Sequence, residues 1–331
     1  MKIWILLGKK LLLFLLSLLV LSAAVFFAAR LAPGDPLTAY YGQRAERLSP
    51  QERARTLERL GLDGPVWRQY LRWLSGAVRG DFGVSLQYRT GVAEVISGRV
   101  GNTLLLGGGG FLLIFLLAPL LGLLCVWQEG RPLDRLLCRA GTLSSCIPEF
   151  WLSLVLILVF SAALDLLPSG GAYSMGGGGG PADRAAHLVL PLTAVVLSHL
   201  WYYACLMRSL LAQEVRRDCA LLARAAGLSR GQVLLRRCLR SALPPYLSTM
   251  AAALPHILGG TYLVETLFSY PGLGSLSYES ARYHDYNLLT ALCLLSGGAV
   301  MLCGMLAQAA GARLDPRLDG GEREEAAPYG P

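Results

Sequence analysis

Apolar runs without charges recur along this chain at lengths that suit a bilayer rather than a soluble core. Lys2, Lys9 and Lys10 precede the first, Leu11–Ala29. As a helix that run rises about 28 Å, close to the roughly 30 Å hydrocarbon layer. The apolar part of a cleaved signal peptide also follows lysines but spans only about 7–15 residues, so the run reads as a retained first span. Five more runs follow, at about Thr103–Trp127, Leu143–Leu167, Leu188–Met207, Leu243–Leu263 and Leu288–Ala312. The pattern predicts an all-α integral membrane protein with six transmembrane helices.

Between the first two runs the chain is of ordinary polarity. Ser49 is expected to cap a helix with Pro50 in its first turn and Glu52 three residues on. A second amphipathic helix is expected to turn Trp67, Tyr70, Leu71 and Leu74 to one side. Six spans after a lysine-rich start place both termini in the cytoplasm. Arg131, Arg135, Arg139 and the dense set from Arg208 to Arg240 then fall inside, and the short external loops hold only Arg184 and Arg282. The arginines of 31–102 fall outside, in a segment of roughly 70 residues, whereas the positive-inside rule counts mainly loops under about 60. The expected division is 1–30 as N-terminus and first span, 31–102 as an external soluble insert, 103–312 as a five-helix core with a cytoplasmic loop at about 212–242, and 313–331 as a cytoplasmic tail. The tail is rich in Gly and Glu and reads as disordered, and Gly176–Gly180 reads as flexible linker. Gly107–Gly110 should let a neighbouring helix come close.

Composition agrees with this picture. The 331 residues are 54% hydrophobic and 16% charged, a combination that soluble domains rarely show. A net charge of +8 would suit nucleic acid, but no recognition motif or long soluble domain accompanies it. The eight cysteines include no C-x-x-C pair and read as small apolar fillers. No catalytic constellation emerges. Gly107–Gly110 is followed by Phe111 and Leu112 rather than by the lysine of a phosphate-binding loop. There is no H-E-x-x-H, and His187, His199, His256 and His284 are scattered. No metal site, cofactor or enzymatic activity is expected.

The most cationic stretch between two apolar runs is Glu214 to Pro245, where Arg216, Arg217, Arg224, Arg230, Arg236, Arg237 and Arg240 face only Glu214 and Asp218. Ala220 to Ala226 is rich in helix formers, Gly227 suits a helix C-terminus, and Ser229 can cap a second helix. Within it, Asp218-Cys219-Ala220-Leu221-Leu222-Ala223-Arg224-Ala225-Ala226-Gly227-Leu228-Ser229 resembles the coupling loop of permease subunits in binding-protein-dependent ABC importers. The similar branch is that of the dipeptide, oligopeptide and nickel permeases. Cys219, Leu221 and Ala226 depart from the family pattern, which has Tyr, Arg and Lys there.

Further pieces are similar to the same branch. They include Ala32-Pro33-Gly34-Asp35-Pro36, Leu60-Gly61-Leu62-Asp63-Gly64-Pro65, Gly80-Asp81-Phe82-Gly83-Val84-Ser85, Pro148 with Phe150 and Trp151, Leu167-Pro168-Ser169-Gly170-Gly171, Glu265 through Gly274, Asp285-Tyr286 and Asp315-Pro316-Arg317. The resemblance implies an ABC type I importer permease (MetI-like) fold in a bacterial cytoplasmic membrane. It also implies a second homologous permease subunit, two ATP-binding subunits, an extracytoplasmic solute-binding protein, contact with membrane lipid, and a short peptide or a nickel or metal-chelate complex as solute. Asp218, Ala220, Ala223, Arg224, Ala225, Gly227 and Leu228 would form the loop that seats on the ATPase. Ala223 would let the ATPase surface come close and Gly227 would supply the bend.

Ionisable residues inside spans mark functional positions. Glu265, near the outer end of the fifth span, is the leading candidate for a translocation gate, and His256 and His199 are the further candidates. The two histidines either face a pore or sit neutral and hydrogen-bonded between helices. Glu149 lies near a cytoplasmic end, where it can reach water. Pro271, Gly272 and Gly274 are expected to form a tight turn using backbone angles closed to other residues. Asp285 is either a contact for a binding protein or a solvated loop charge. The rival reading, an ATP-independent secondary transporter of a small polar solute, calls for paired intramembrane charges and inverted repeats. The sequence displays neither.

Overall fold

The computed structural model describes residues 2–31, 37, 41, 45, 47–59, 62–174 and 179–314. In chain order the helices are α1 (Lys2–Leu31), α2 (Pro50–Arg59), α3 (Val66–Ala77), α4 (Val92–Thr103), α5 (Gly109–Trp127), α6 (Pro132–Ser145) and α7 (Glu149–Leu156). There follow α8 (Pro181–Val215), α9 (Asp218–Ala225), α10 (Arg230–Val233), α11 (Leu239–Leu267), α12 (Leu273–Arg282) and α13 (Tyr286–Leu314). Wider π-helical turns join α4 to α5 at Leu104–Gly108, extend α7 through Ile157–Ala163 and join α10 to α11 at Leu234–Cys238. Among the described residues there is no extended strand. The sequence pieces at 32–36, 60–61 and 315–317, most of the 176–180 run and the tail lie outside the described residues.

Four stretches, Leu11–Leu31, Val92–Trp127, Pro181–Val215 and Tyr286–Leu306, are long and apolar enough to cross a bilayer. Two bent pairs raise the number to six when each counts as one span. The third apolar run is one of these pairs rather than the single helix expected over Leu143–Leu167. Pro148 sits in extended backbone at φ −63° and ψ 140°, and its ring and missing N–H stop a helix from running through it. Pro132–Ser144 and Glu149–Ala163 consequently meet at 103°, and the second piece alone rises only about 22 Å. The other bend, 44° between Ile257 and Gly259, follows Pro255 inside α11.

The described residues form two compact units, one drawn from Met1–Thr103 and Pro271–Met301, the other from Leu104–Tyr270 and Leu302–Pro331. In the first, Ser49 and Glu52 cap α2 reciprocally, with Ser49 N donating to Glu52 Oε2 at 2.9 Å and Glu52 N to Ser49 Oγ at 3.3 Å. α3 turns Tyr70 and Trp73 against Phe26 of α1, with Val66, Leu74 and Ala77 at its edge. The expected face was different: Trp67 and Leu71 are more than half exposed. The stripe at 66, 70, 73, 74 and 77 keeps the 3.6-residue period through the two rings that reach Phe26, and those rings decide the rotation. A Cβ on Gly297 of α13 would meet only the Cδ2 end of Leu21 of α1, a side chain that can turn aside.

The second unit is organised on α8, whose buried stripe runs from His187 to Glu214. α5 lies against it so closely that a Cβ on Gly110 would fall 2.8 Å from Val195 Cγ1. A Cβ on Gly122 would fall 2.8 Å from Met207 Cβ and 2.9 Å from the Arg208 backbone nitrogen. The glycine run at 107–110 does permit an approach, and Gly122 adds a second one three turns on. α11 joins the same core through Tyr246, which is fully buried and donates from Oη to the Phe115 carbonyl at 3.2 Å. At the far end of the third run, Gly171 N donates to the Phe268 carbonyl at 2.8 Å, and Gly170 has no room for a Cβ there.

Gly108, by contrast, has nothing within 4 Å of an added Cβ. Gly122→Ala is therefore expected to destabilise the chain by about 1–3 kcal/mol through overpacking, while Gly108→Ala leaves stability unchanged or slightly raised. Thermal unfolding of the two purified variants in detergent checks the contrast.

Candidate functional site

The polar loop after α8 folds into a defined helix–turn–helix. α9 ends at Ala226, and Gly227 takes φ +86°, a left-handed value that a side chain would strain. Leu228 N donates to the Ala223 carbonyl at 3.1 Å and Gly227 N to the Arg224 carbonyl at 2.9 Å, which is the paired closure of a Schellman motif. Ser229 then caps α10. Gln232 N donates to Ser229 Oγ at 3.4 Å and Ser229 N to Gln232 Oε1 at 3.0 Å, so one helix end leads into the next with the orphan backbone groups satisfied. The bend expected at Gly227–Leu228 and the Ser229 cap are both present.

The side chains of α9 are turned differently from the expectation. Ala220 and Ala223 are buried in the chain's own core with Val233, Leu234 and Cys238. Ala223 is thus unavailable for close approach by another protein. Asp218, Arg224, Ala225 and Gly227 are exposed, as are Leu221 at 51% and Leu222 at 70%, while Leu228 is half-buried. An alanine pair inside a helix-rich sequence marks a close contact, but its partners are α8 and α10 of the same unit. α10 is seated in turn on the end of α5. Arg230 Nη2 donates to the Val126 carbonyl at 3.1 Å, and a Cβ on Gly231 would meet Trp127 Cη2 at 2.9 Å.

One strong ion pair at this end escaped sequence reasoning. Arg208 Nε and Nη2 donate to Asp134 Oδ1 and Oδ2 at 2.8 and 2.9 Å, with Gly130 N adding a bond to Oδ2 at 3.1 Å. Asp134 is buried and Arg208 is only 29% exposed. The residues are 74 positions apart, and in sequence Asp134 reads as a lone acid among Arg131, Arg135 and Arg139. Nearby, Arg217 Nη1 lies 2.8 Å from Glu214 Oε1. These pairs tie α6 and the start of the loop to α8.

Within the apolar helices a polar strip links three elements. Ser198 Oγ donates to Glu149 Oε1 at 3.4 Å and lies 3.0 Å from His199 Nδ1, which is itself 3.0 Å from the Val195 carbonyl. The rings of His199 and His256 meet edge to face with centroids 5.8 Å apart. His256 is exposed, His199 and Glu149 half-buried. Glu265 stands apart from this strip. It is completely buried, and Thr261 Oγ1 donates to its Oε1 at 3.4 Å. Nine residues separate His256 from Glu265, which puts them on opposite sides of α11 at about 100° per residue. Glu265 and the two histidines therefore lie at two separate places. Among the described residues no cluster of three or more His, Cys, Asp or Glu is arranged to hold a metal ion.

The turn before α12, in the first unit, corrects another expectation. Gly272 has φ −109° and ψ −174°, extended backbone that any residue adopts, and the left-handed residue nearby is Ser269 at φ +47°. The turn is held by side chains instead. Gly272 N donates to Ser275 Oγ at 3.2 Å, Leu273 N to Thr103 Oγ1 at 2.7 Å, and Asn102 Nδ2 to the Pro271 carbonyl at 2.8 Å. Asp285 is likewise internal rather than a surface contact. It is fully buried, accepts from Ser85 Oγ and from Gln87 N at 3.1 Å, and takes Leu288 N at 3.3 Å at the start of α13. Tyr88 Oη beside it donates to Glu279 Oε2 at 2.7 Å. Burial, and then that bond, push the phenol up to about 12, so it remains a donor at physiological pH.

Residues 118–320 match the family model described as binding-protein-dependent transport system inner membrane component, and residues 4–106 match its N-terminal companion model. The chain belongs to this family. Relatives of these permeases include the oligopeptide transport system permease protein AppB of Bacillus subtilis, 32% identical over 92% of this chain and 95% of its own. The oligopeptide permease OppB of Haemophilus influenzae is 30% identical over 94% of this chain and 97% of its own. The dipeptide permease DppB of Escherichia coli is 28% identical over 88% and 92%. A chain from inward-facing structures of the MetNI methionine ABC transporter superposes with a TM-score of 0.55 over 67% of this chain and 96% of that one, at 16% identity. The fold is thus the MetI-like permease fold, and the chain is a transport subunit rather than an enzyme.

Asp134 and Arg208 tie the start of α6 to α8. Asp134→Asn should lower the unfolding free energy by about 2–3 kcal/mol, less than the ~3–5 of a fully buried pair because Arg208 keeps some solvent contact. Replacing both residues by Leu and Met should recover part of the loss. Thermal denaturation of the single and double variants measures the difference.

Proposed function

We propose that this permease is one of the membrane subunits of an ATP-driven importer of short peptides. It would pair with a second homologous permease above two ATP-binding subunits and below an extracytoplasmic binding protein. The full-length likeness to relatives named as oligopeptide and dipeptide permeases supports peptides over nickel or metal-chelate complexes. In this reading the lysine-flanked start and the arginine-rich loop face the cytoplasm, and the segment 31–102 faces outside. ATP-driven closure of the partner ATPases is passed through Asp218–Gly231 to the helices, which alternate between inward and outward access. His199, His256 and Glu149 offer polar groups to the solute path, and Glu265 holds the outer end of α11.

The observation that carries the coupling role is the exposed Leu221–Leu222 pair on a helix locked at Gly227 and Ser229. Two large apolar side chains presented on a rigid, cationic knob suit insertion into a groove of another protein. With Cys219, Leu221 and Ala226 in place of the family's polar residues, docking rests on apolar contact, and salt weakens it only modestly.

Leu222→Glu is expected to leave the amount of permease in the membrane unchanged. It should weaken retention of the ATPase subunits about 10- to 100-fold on co-purification, the loss of one buried leucine, and abolish peptide uptake in proteoliposomes. Ala223→Glu should instead lower the amount of permease itself, because its carboxylate would be buried in the permease's own core. Normal ATPase retention and uptake by Leu222→Glu would show that the loop does not couple. Topology is checked separately on a cysteine-free background. A cysteine at position 55 should react with an impermeant maleimide from outside, and one at position 236 only after permeabilisation; the reverse pattern would invert the arrangement.

A further inference from the structure

In the first unit, a cavity of about 310 Å³ opens between the C-terminal part of α1, α3 and the loop that follows α3. Three buried polar atoms on its lining residues have no hydrogen-bond partner: Arg30 Nε, Gln69 Oε1 and Trp73 Nε1. Gln69 and Trp73 are each more than nine-tenths buried. Gln69 Nε2 donates to both the Leu62 and Gly64 carbonyls at 3.0 Å, which fixes the amide and leaves its oxygen unused. The Arg30 guanidinium is clamped between the rings of Phe26 and Tyr286, its Cζ 5.0 Å from each centroid. It makes no ion pair among the described residues. Arg72, on the same wall, is already taken by Asp63 at 2.8 Å. A half-buried guanidinium in no ion pair and three orphaned polar atoms around one cavity are costly unless something else fills their bonding.

These groups specify their complement. Arg30 and the Trp73 N–H are donors awaiting an anion. The Gln69 oxygen and the Asp81 carboxylate, of which Oδ1 accepts from Gly83 N at 2.9 Å, are acceptors on the same cavity. Phe26 and Trp73 supply an apolar wall. We infer that this cavity binds a zwitterionic α-amino acid or dipeptide, its carboxylate on Arg30 and Trp73, its ammonium on Gln69 and Asp81, and its side chain against Phe26. The volume lies at the small end of the roughly 300–1,000 Å³ typical of ligand sites, so one or two residues fit and a longer peptide does not. Burying the carboxylate against a guanidinium held by two rings gives a charge-assisted bond stronger than a neutral one. The inference rests on these groups alone, and its failure would leave the proposed function standing.

The experiment is calorimetric titration of the purified full-length chain in lipid nanodiscs with phenylalanine and phenylalanyl-alanine, alongside N-acetylphenylalanine and phenylalaninamide. Saturable binding of at least one zwitterion is expected, with each blocked analogue weaker by about tenfold or more, the loss of one charged contact. Trp73→Phe keeps the ring and removes only the N–H, so it should weaken the zwitterion several-fold while folding normally. Arg30→Gln should abolish binding. Equal binding of phenylalaninamide would show that the carboxylate is not read and overturn the inference. So would an absence of binding by every probe at millimolar concentration, or heat that appears only when phosphatidylglycerol is included and is insensitive to the amino acids.

Discussion

The close approach of α5 to α8 is the contact on which the second unit depends. At Gly122 the backbone of α8 occupies the space where a side chain would begin. In hydrocarbon, lipid tails are as apolar as leucine, so helices gain little by merely hiding apolar surface from one another. Contact must come from tight packing, and tight packing needs missing side chains. The same economy recurs at Gly110 against Val195. Large residues such as Leu112, Leu116 and Leu120 then remain on exposed faces suited to lipid.

On that frame the loop between α8 and α11 is rigid for reasons of its own. The Schellman closure at Gly227 and the capping box at Ser229 satisfy the backbone groups that two abutting helix ends would orphan. Ala220 and Ala223 are small because the helix lies on the permease's own core, and Arg230 and Gly231 seat the next turn on the end of α5. A force applied to Leu221 or Leu222 would thus be passed to α5, α8 and α11 without a flexible joint. This mechanical quality is what a coupling element requires.

Polar groups in the apolar helices divide by the support they receive. Asp134 and Arg208 satisfy each other in two parallel bonds, which makes them a structural tie. Glu149 and the two histidines meet around Ser198, whose Oγ also lies 2.9 and 3.0 Å from the Ala194 and Val195 carbonyls, and His256 reaches the surface of the chain. Asp285 belongs to the first kind, bonded to Ser85, Gln87 and Leu288 in a way that joins segments about 200 residues apart.

What the sequence settled by itself was local or periodic. Apolar run length marked the spans, the Ser49–Glu52 spacing and Ser229 marked helix starts, and Gly227 marked a helix stop, because each is governed by a few neighbouring residues. Proline at 148 also lay in plain view, but the 103° turn it produces depends on where the two helix pieces find partners. Tertiary packing decided which way each helix faces. It turned Ala223 inward and Leu222 outward, chose Tyr70 and Trp73 over Trp67 and Leu71, and gave the turn at Gly272 to Ser275 and Thr103 rather than to glycine conformations. It also paired Asp134 with Arg208 and gathered Arg30, Gln69 and Trp73 around one cavity. A helix rotated by one residue turns about 100° at almost no local cost, so only contacts between distant segments can fix its facing, and one chain read alone carries no record of those contacts.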